Sequence, residues 1–358
     1  MKVLQIITSL ETGGAENLVA EISSLISKRG IDVNVLSFVS GATPFYKKLI
    51  DNGIKVYSLT DKSKFYNLRF ILKLIPYLKQ YDVVHTHNTA CQLFVAIAKK
   101  ISNARCKLVT TEHSTENRRR KLWWFKPIDK WMYKQYDSII SISDIATDFL
   151  IKHIGNKFPI RTIPNGVNIA KFHNAKRISE KRADDIIISM VAGFRIGKDQ
   201  DTLIKSLKYL PVNYKVWLIG DGVRRKEIET LIEDLNLEDR VKLWGIRSDI
   251  PELLKTSDVI VMSSRYEGLS LSSIEGMSVN KPFIASDVKG LHETTTGAGI
   301  LFPYQDDKAL AYEIQKLMED EGYYKEIASR CYERALQFDI TKTVDGYMET
   351  YKALLAAD

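Results

Sequence analysis

The feature that most constrains this chain is an alternation, run through twice, of short β-rich segments with amphipathic helical stretches. In the first half, residues 2–8, 32–38, 56–59, 83–87, 108–112 and 139–142 read as strands. Residues 15–28, with Leu18, Val19, Ile22, Leu25 and Ile26 at helical spacing, and 45–52 read as helices. Strands that alternate with helices build βαβ units around a parallel sheet. A Pro164-Asn165-Gly166 turn after a strand at 161–163 interrupts the pattern. Residues 168–185 are polar with little periodicity and predict a linker. The alternation then restarts, with strands at 186–192, 215–219, 241–243, 259–262, 282–285 and 299–302. Helices are expected near 200–208, 223–236, 249–255, 271–279 and 306–318. The expected architecture is two Rossmann-like α/β domains facing across a cleft, 1–167 and 168–340. A helical tail, with a terminal helix at 341–358, packs back on the first domain.

Composition narrows the class. A 45% hydrophobic and 27% charged chain of 358 residues fits a globular protein with a sizeable core. The apolar start stops at Glu11 without a cleavage-site pattern, so it reads as a strand and not a signal peptide. No run approaches the ~20 apolar residues of a spanning helix. Cys91, Cys106 and Cys331 have neither zinc spacing nor the look of a disulfide framework, which suggests a reducing, cytoplasmic setting. Charge is uneven: 25 Lys and Arg against 13 Asp and Glu up to residue 170, and 27 against 31 beyond it. A basic first half suggests an anionic partner for that half.

In open α/β sheets ligands bind beyond the carboxyl ends of the strands, so the strand-end loops carry the candidates. Gly13-Gly14, between the first strand and helix, would let backbone N–H groups approach a phosphate at a helix N-terminus; a plain tight turn is the alternative. Gly193-Phe194-Arg195-Ile196-Gly197-Lys198 nearly matches a P-loop but is one residue short. Asp199 stands where Ser or Thr would hold magnesium, which argues against an NTPase. Arg195 and Lys198 could still clamp a diphosphate. Asp199-Gln200-Asp201 has the form of a metal-binding Asp-x-Asp, but its place at a helix start suggests capping, so no metal is expected. Gly220-Asp221-Gly222 is a donor-side candidate; Arg225 stands where a dinucleotide fingerprint needs glycine, which weakens an NAD reading.

The sharpest segment is Glu267-Gly268-Leu269-Ser270-Leu271-Ser272-Ser273-Ile274-Glu275, which leaves a strand and enters a helix. N–H groups of Gly268, Leu269, Ser270 and Leu271 would face a diphosphate. Glu275 could accept from ribose hydroxyls and Glu267 from a sugar hydroxyl. His85-Thr86-His87 and Thr111-Glu112-His113 each end a strand. His113 could touch a sugar or assist proton movement, whereas His85 and His87 lack a third metal ligand. Residues 118–126, Arg-Arg-Arg-Lys-Leu-Trp-Trp-Phe-Lys, mix cations with aromatics. They suit an anionic membrane surface at the inner face, a nucleic acid less so, or simply a helix with one packed face.

Together these segments resemble glycosyltransferase family 4, the retaining enzymes of GT-B fold. The matches run in the family's order: Gly-Gly-Ala-Glu at 13–16, Asp-Val-Val-His-Thr-His at 82–87, Thr-Glu-His at 111–113 and Pro-Asn-Gly-Val at 164–167. Lys198-Asp199, Gly-Asp-Gly at 220–222, Asp-Arg-Val at 239–241 and Glu267 to Glu275 follow. The resemblance implies that Gly14 and the 268–271 backbone hold the donor diphosphate, and that Lys198 with an arginine neutralises the leaving group. It gives Glu275 to ribose, Glu267 and His113 to the transferred sugar, and Trp244 to Arg247 to the base pocket. No cofactor or catalytic metal is implied. Three positions depart from the family pattern: Gly193 replaces an arginine, Ser270 a proline, and Lys289 a glycine. Arg195 is the candidate to replace the missing arginine.

The expected function is transfer from a nucleotide-diphosphate sugar, UDP-linked by default, to a glycan or lipid-linked saccharide acceptor in surface polysaccharide or glycolipid assembly. A nucleotide-sugar 2-epimerase of the same fold and an inactive nucleotide-sugar-binding scaffold are the alternatives.

Overall fold

The structure, a computed structural model, describes residues 1–11, 13–41, 43–61, 66–113 and 125–357. The chain divides into two compact units, Met1–Gly166 with Ile340–Asp358, and Val167–Asp339. The first unit carries β1 (Lys2–Ile7), α1 (Gly14–Lys28), β2 (Asp32–Val39), α2 (Pro44–Asp51), β3 (Val56–Thr60), α3 (Arg69–Leu78) and β4 (Val83–His87). It continues through α4 (Thr89–Ser102), β5 (Lys107–Glu112), α5 (Phe125–Tyr133), β6 (Ser138–Ser141), α6 (Asp144–Ile154) and β7 (Ile160–Thr162).

The second unit runs α7 (Ile169–His173), β8 (Ile186–Val191), α8 (Gln200–Ser206), β9 (Tyr214–Ile219), α9 (Arg225–Asp234), β10 (Val241–Gly245), α10 (Ile250–Thr256) and β11 (Val259–Met262). It closes with α11 (Leu271–Ser278), β12 (Phe283–Ser286), α12 (Leu291–Thr295), β13 (Ile300–Phe302), α13 (Asp307–Glu319) and α14 (Glu321–Leu336). The chain then returns to the first unit as α15 (Ile340–Ala356).

The sheets are parallel throughout, with strand orders β3-β2-β1-β4-β5-β6-β7 and β10-β9-β8-β11-β12-β13. Central strands such as β1, β4 and β11 are buried on both faces, as Val- and Ile-rich parallel strands covered by helices must be. In each sheet the winding direction reverses once, between β1 and β4 in the first unit and between β8 and β11 in the second. The crevice at such a switch point opens at the carboxyl ends of the two strands. Those ends lead into Gly13-Gly14 and Asn88, and into Lys198 and Glu267.

α15 completes the first unit. Val344, Tyr347 and Tyr351 are fully buried against Val3, Val83, Val109 and Ile140. A Cβ on Gly166 would lie 2.5 Å from Ile340 Cα, so the turn before the second unit admits only glycine at that point. The expected linker at 168–185 is corrected at its start: Ile169–His173 is a helix with Ile169 and Phe172 in the core of the second unit. With only two buried apolar residues, spaced i and i+3, the segment is too short for a periodic signal.

Candidate functional site

In the second unit the loops after β8 and β11 are zipped together. Asp199 N donates to Ser263 O at 2.9 Å, Arg265 N to Gly197 O at 2.8 Å, and Lys198 pairs with Ser264 in an isolated bridge. The consequence is that Lys198 Nζ forms an ion pair with Glu267, whose Oε1 also accepts from Ser264 Oγ at 2.8 Å. The Glu267 side chain is 12% exposed and that of Lys198 25%. Gly290 backs this loop at φ +91°. A Cβ there would lie 2.1 Å from Glu267 O and 2.7 Å from Gly268 O, so glycine is required by close approach as well as by backbone conformation.

Ser270 caps α11, its hydroxyl accepting from Ser273 N at 3.3 Å and from Ser273 Oγ at 2.8 Å. Its φ of −78° lies in the range a proline would adopt. The N–H groups of Gly268, Leu269, Ser270, Leu271 and Ser272 donate to nothing among the described residues. They form a row of donors at a helix N-terminus, which suits an anion. One turn on, Glu275 is half-buried, and burial pushes its carboxyl up to about 7 against the weaker pull of Lys171.

Arg195 is exposed and pairs with no carboxylate among the described residues. Its side chain curls back over Gly193, where an added Cβ would lie 3.2 Å from Arg195 Nε. The acidic residues of the Asp-x-Asp stretch are engaged locally. Asp199 caps α8 through Thr202, and Asp201 takes both of its bonds from Arg224, at 2.9 and 3.0 Å. Gly220 and Gly222 are explained by packing: Cβ atoms would meet Ala192 O at 2.1 Å and Phe194 O at 2.4 Å. Trp244 stacks edge-on against Trp217 at 5.1 Å, with Lys242 Nζ 3.7 Å above its ring and Arg247 at 5.0 Å. Arg247 is held by Asp249. His292 is exposed and bonded to Asp287 at 2.6 Å, and Lys289 is exposed.

In the first unit, Gly13 lets the Glu16 carboxylate fold back, since a Cβ would overlap Glu16 Oε2 at 2.1 Å. A Cβ on Gly14 would meet nothing within 4 Å, leaving that backbone open to approach. His113 lines a cavity of about 330 Å³ with Thr8, Asn88, Thr89, Gln92 and Thr111. Asn88 holds φ +76°, a strained conformation for a residue other than glycine. Glu112 is turned inward, taking Gln92 Nε2 and Tyr133 Oη at 2.5 Å each. Burial keeps His113 neutral, its pKa lowered to about 4, and holds His85 and His87 well below the usual imidazole range. His85 and His87 are members of a hydrogen-bonded line that includes Gln5 and Tyr351, two residues that strand and helix patterns did not single out. Gln5 carries a readable signal, an amide inside an otherwise apolar buried strand.

Residues 118–124 lie outside the described residues; Phe125 and Lys126 open α5. Among the described residues no helix is long and apolar enough to cross a membrane, and no group of three or more His, Cys, Asp or Glu side chains could hold a metal. The three cysteines are buried free thiols.

Two family models match the chain in succession, Glycosyltransferase Family 4 over residues 12–171 and Glycosyl transferases group 1 over 171–337. Among curated relatives, the UDP-Gal:alpha-D-GlcNAc-diphosphoundecaprenol alpha-1,3-galactosyltransferase of Escherichia coli is 24% identical over 365 residues, 94% of this chain and 93% of that one. The GalNAc-alpha-(1->4)-GalNAc-alpha-(1->3)-diNAcBac-PP-undecaprenol alpha-1,4-N-acetyl-D-galactosaminyltransferase of Campylobacter jejuni is 24% identical over 375 residues, 98% of each chain. Among solved structures, Anabaena HepE in complex with UDP and glucose superposes with a TM-score of 0.84 at 25% identity, covering 98% of this chain and 99% of that one. From residue 12 to residue 337 the two models leave no gap, and the chain belongs to glycosyltransferase family 4, as a glycosyltransferase of GT-B fold.

Proposed function

We propose that this enzyme moves a sugar, with retention of configuration, from a UDP-sugar to a lipid-linked saccharide in surface polysaccharide or glycolipid assembly. The observation that carries the reading is the Lys198–Glu267 pair beside the open donor row of α11, at the switch point of the second sheet. A diphosphate seated on the N–H groups of 268–271 would draw Lys198 and Arg195 to its charge. The leaving nucleotide diphosphate is then stabilised by groups already in place. Glu267, released from Lys198, accepts from a hydroxyl of the transferred sugar, and Glu275 accepts from ribose. In the first unit, His113 is the residue assigned to a sugar hydroxyl. Among the described residues no side chain is assigned the role of nucleophile. The acceptor hydroxyl attacks on the face the diphosphate leaves, and a departing phosphate oxygen takes its proton, which retains configuration.

UDP is favoured because the Escherichia coli relative is named for UDP-Gal and HepE is solved with UDP. The lipid-linked acceptor is favoured by both curated relatives, whose named substrates carry undecaprenol. Docking to an anionic membrane is supported by α5, which follows the Arg- and Trp-rich segment and presents Lys126 and Lys130 with exposed Ile128 and Trp131, and by Lys134 just beyond it. Vesicles containing anionic lipid should co-sediment the protein at low salt, and equal pelleting on neutral vesicles would sink the docking.

The test of function is a thermal-shift screen against UDP, GDP, ADP and their sugar conjugates, followed by turnover with undecaprenyl-diphosphate-linked sugars. Selective stabilisation by UDP and its conjugates, with UDP released only when acceptor is present, is the expected result. UDP release without acceptor and with a 2-epimeric product would favour the epimerase, and stabilisation by GDP conjugates alone would move the donor.

A further inference from the structure

A continuous hydrogen-bonded line runs under the carboxyl end of the first sheet from His113 to the terminal helix. His113 Nε2 lies 2.9 Å from His87 Nδ1, and His87 Nε2 lies 2.7 Å from Gln5 Oε1. Gln5 Nε2 donates to Tyr351 Oη at 3.1 Å. Tyr351 Oη lies 2.6 Å from His85 Nδ1, and His85 Nε2 lies 2.7 Å from Thr111 Oγ1. Thr111 Oγ1 reaches Tyr347 Oη at 3.0 Å. His85, His87, Gln5, Thr111, Tyr347 and Tyr351 are all at most 1% exposed, so water cannot substitute for a missing partner.

A neutral imidazole donates from one nitrogen and accepts at the other, so the direction of such a line is set at one point and transmitted along it. That point is the Gln5 amide. Its carbonyl faces His87, which must therefore carry its proton on Nε2 and accept at Nδ1. His113 then donates from Nε2 and is left with a bare lone pair on Nδ1. On the other side, the Gln5 amide nitrogen donates to Tyr351, whose own proton goes to His85 Nδ1, and His85 donates from Nε2 to Thr111. Tyr351, 346 residues away in sequence, accepts from the Gln5 amide nitrogen and closes the line on that side.

We infer that Gln5, His87 and Tyr351 are positioning residues that lock His113 in the Nε2–H tautomer. Its Nδ1 is thereby an acceptor, and only an acceptor, for a hydroxyl of the transferred sugar. The role of that sugar contact rests on the function proposed above; the tautomer does not. The terminal helix α15 is in this sense part of the site, because its Tyr351 hydroxyl holds the nitrogen end of the amide that sets the histidine pair. A sugar lacking the contacted hydroxyl, or carrying an acceptor there, would leave the Nδ1 lone pair unpaired and be rejected.

The chain has only six histidines, so selective ¹⁵N-histidine labelling with long-range proton–nitrogen correlation can read each ring. The wild-type protein should show His113 and His87 as Nε2–H tautomers. Tyr351→Phe keeps the ring and removes the hydroxyl. It should mix the His113 tautomers and lower kcat by roughly 10-fold, with the donor KM unchanged. Gln5→Met should do the same, whereas Gln5→Glu, which still accepts from His87, should retain the wild-type His113 signature. A wild-type His113 protonated on Nδ1, or a His113 tautomer untouched by both Tyr351→Phe and Gln5→Met, would overturn the inference. His113→Ala turning over at the wild-type rate would instead overturn the sugar contact, leaving the tautomer result standing, so the two failures are separable.

Discussion

Lys198 Nζ and Glu267 are ion-paired across the switch point of the second sheet, with Ser264 Oγ holding the same carboxylate oxygen from the other side. In the unliganded enzyme each therefore screens the charge of the other. On the function proposed above, a diphosphate arriving at α11 would compete with Glu267 for the lysine and free the carboxylate as the lysine turns to phosphate. Lys198→Ala and Glu267→Gln should each lower kcat by about 10²-fold or more if they act on the transition state. Ser264 still bonds Glu267 in the first variant, and both side chains retain solvent access, so thermal melting should move little. Wild-type turnover in both variants would place the chemistry elsewhere.

Arg195 lies across the space that a side chain at Gly193 would fill. The guanidinium missing at 193 is on this reading delivered from two residues later. Arg195→Ala should cost roughly 10- to 10³-fold in kcat, and the Gly193→Arg, Arg195→Ala double variant should recover most of it. Steady-state kinetics with saturating acceptor would check both. A double variant no better than Arg195→Ala would show that the two backbone positions are not equivalent.

Much of this fold is legible in the sequence because parallel strands covered on both faces are short Val- and Ile-rich runs bounded by Gly and Pro. The Glu267–Glu275 segment is legible because a helix N-terminus after a strand has a recognisable form. The pairing of Lys198 with Glu267, 69 residues apart, is not, because it depends on β11 returning to lie beside β8. The Gln5–Tyr351 contact is hidden for the same reason. Gly220 and Gly290 look alike as glycines between a strand and the next helix. Only the structure shows that the first admits the backbone at Ala192 and the second backs the Glu267 loop. Glu112 sits beside His113 in sequence yet turns inward to Gln92 and Tyr133, because adjacent residues at a strand end face opposite ways.

Glu275 carries a carboxyl raised from 4.5 to about 7 by burial, so in the free enzyme it is largely protonated below pH 7. On the proposed role, ribose hydroxyls would donate to the ionised form, and binding would expel that proton. Affinity for UDP-glucose should fall by up to about 10-fold per pH unit as pH drops from 7 toward 5. A nucleotide sugar is the proper ligand, since its diphosphate diester does not titrate in this window while UDP does. Calorimetric titration in buffers of different ionisation enthalpy should show proton release near pH 6.5, absent in Glu275→Gln. A pH-independent affinity in the wild type would remove Glu275 from the ribose.

Acid should destabilise the first unit through its histidines. His113 is lowered to about 4 in the folded protein, and His85 and His87 lie well below 6.5, all chiefly through burial. Unfolded, each would take up a proton near pH 6.5, so between 6.5 and 4 the unfolded chain binds more protons than the folded one. Stability is then fully present above pH 6.5 and is lost as pH falls toward 4, by up to about 1.4 kcal/mol per pH unit for each proton withheld. Glu275 acts with the opposite sign: its raised carboxyl contributes stability below 4.5 that is lost as pH rises through 7. The comparison is therefore made in the Glu275→Gln background, following urea midpoints from pH 8 to pH 4. The midpoint should hold steady to about pH 6.5 and then decline, and His85→Gln should flatten the decline by removing one of the withheld protons. An identical slope with and without His85 would mean that its imidazole is charged in the folded protein, against the burial that surrounds it.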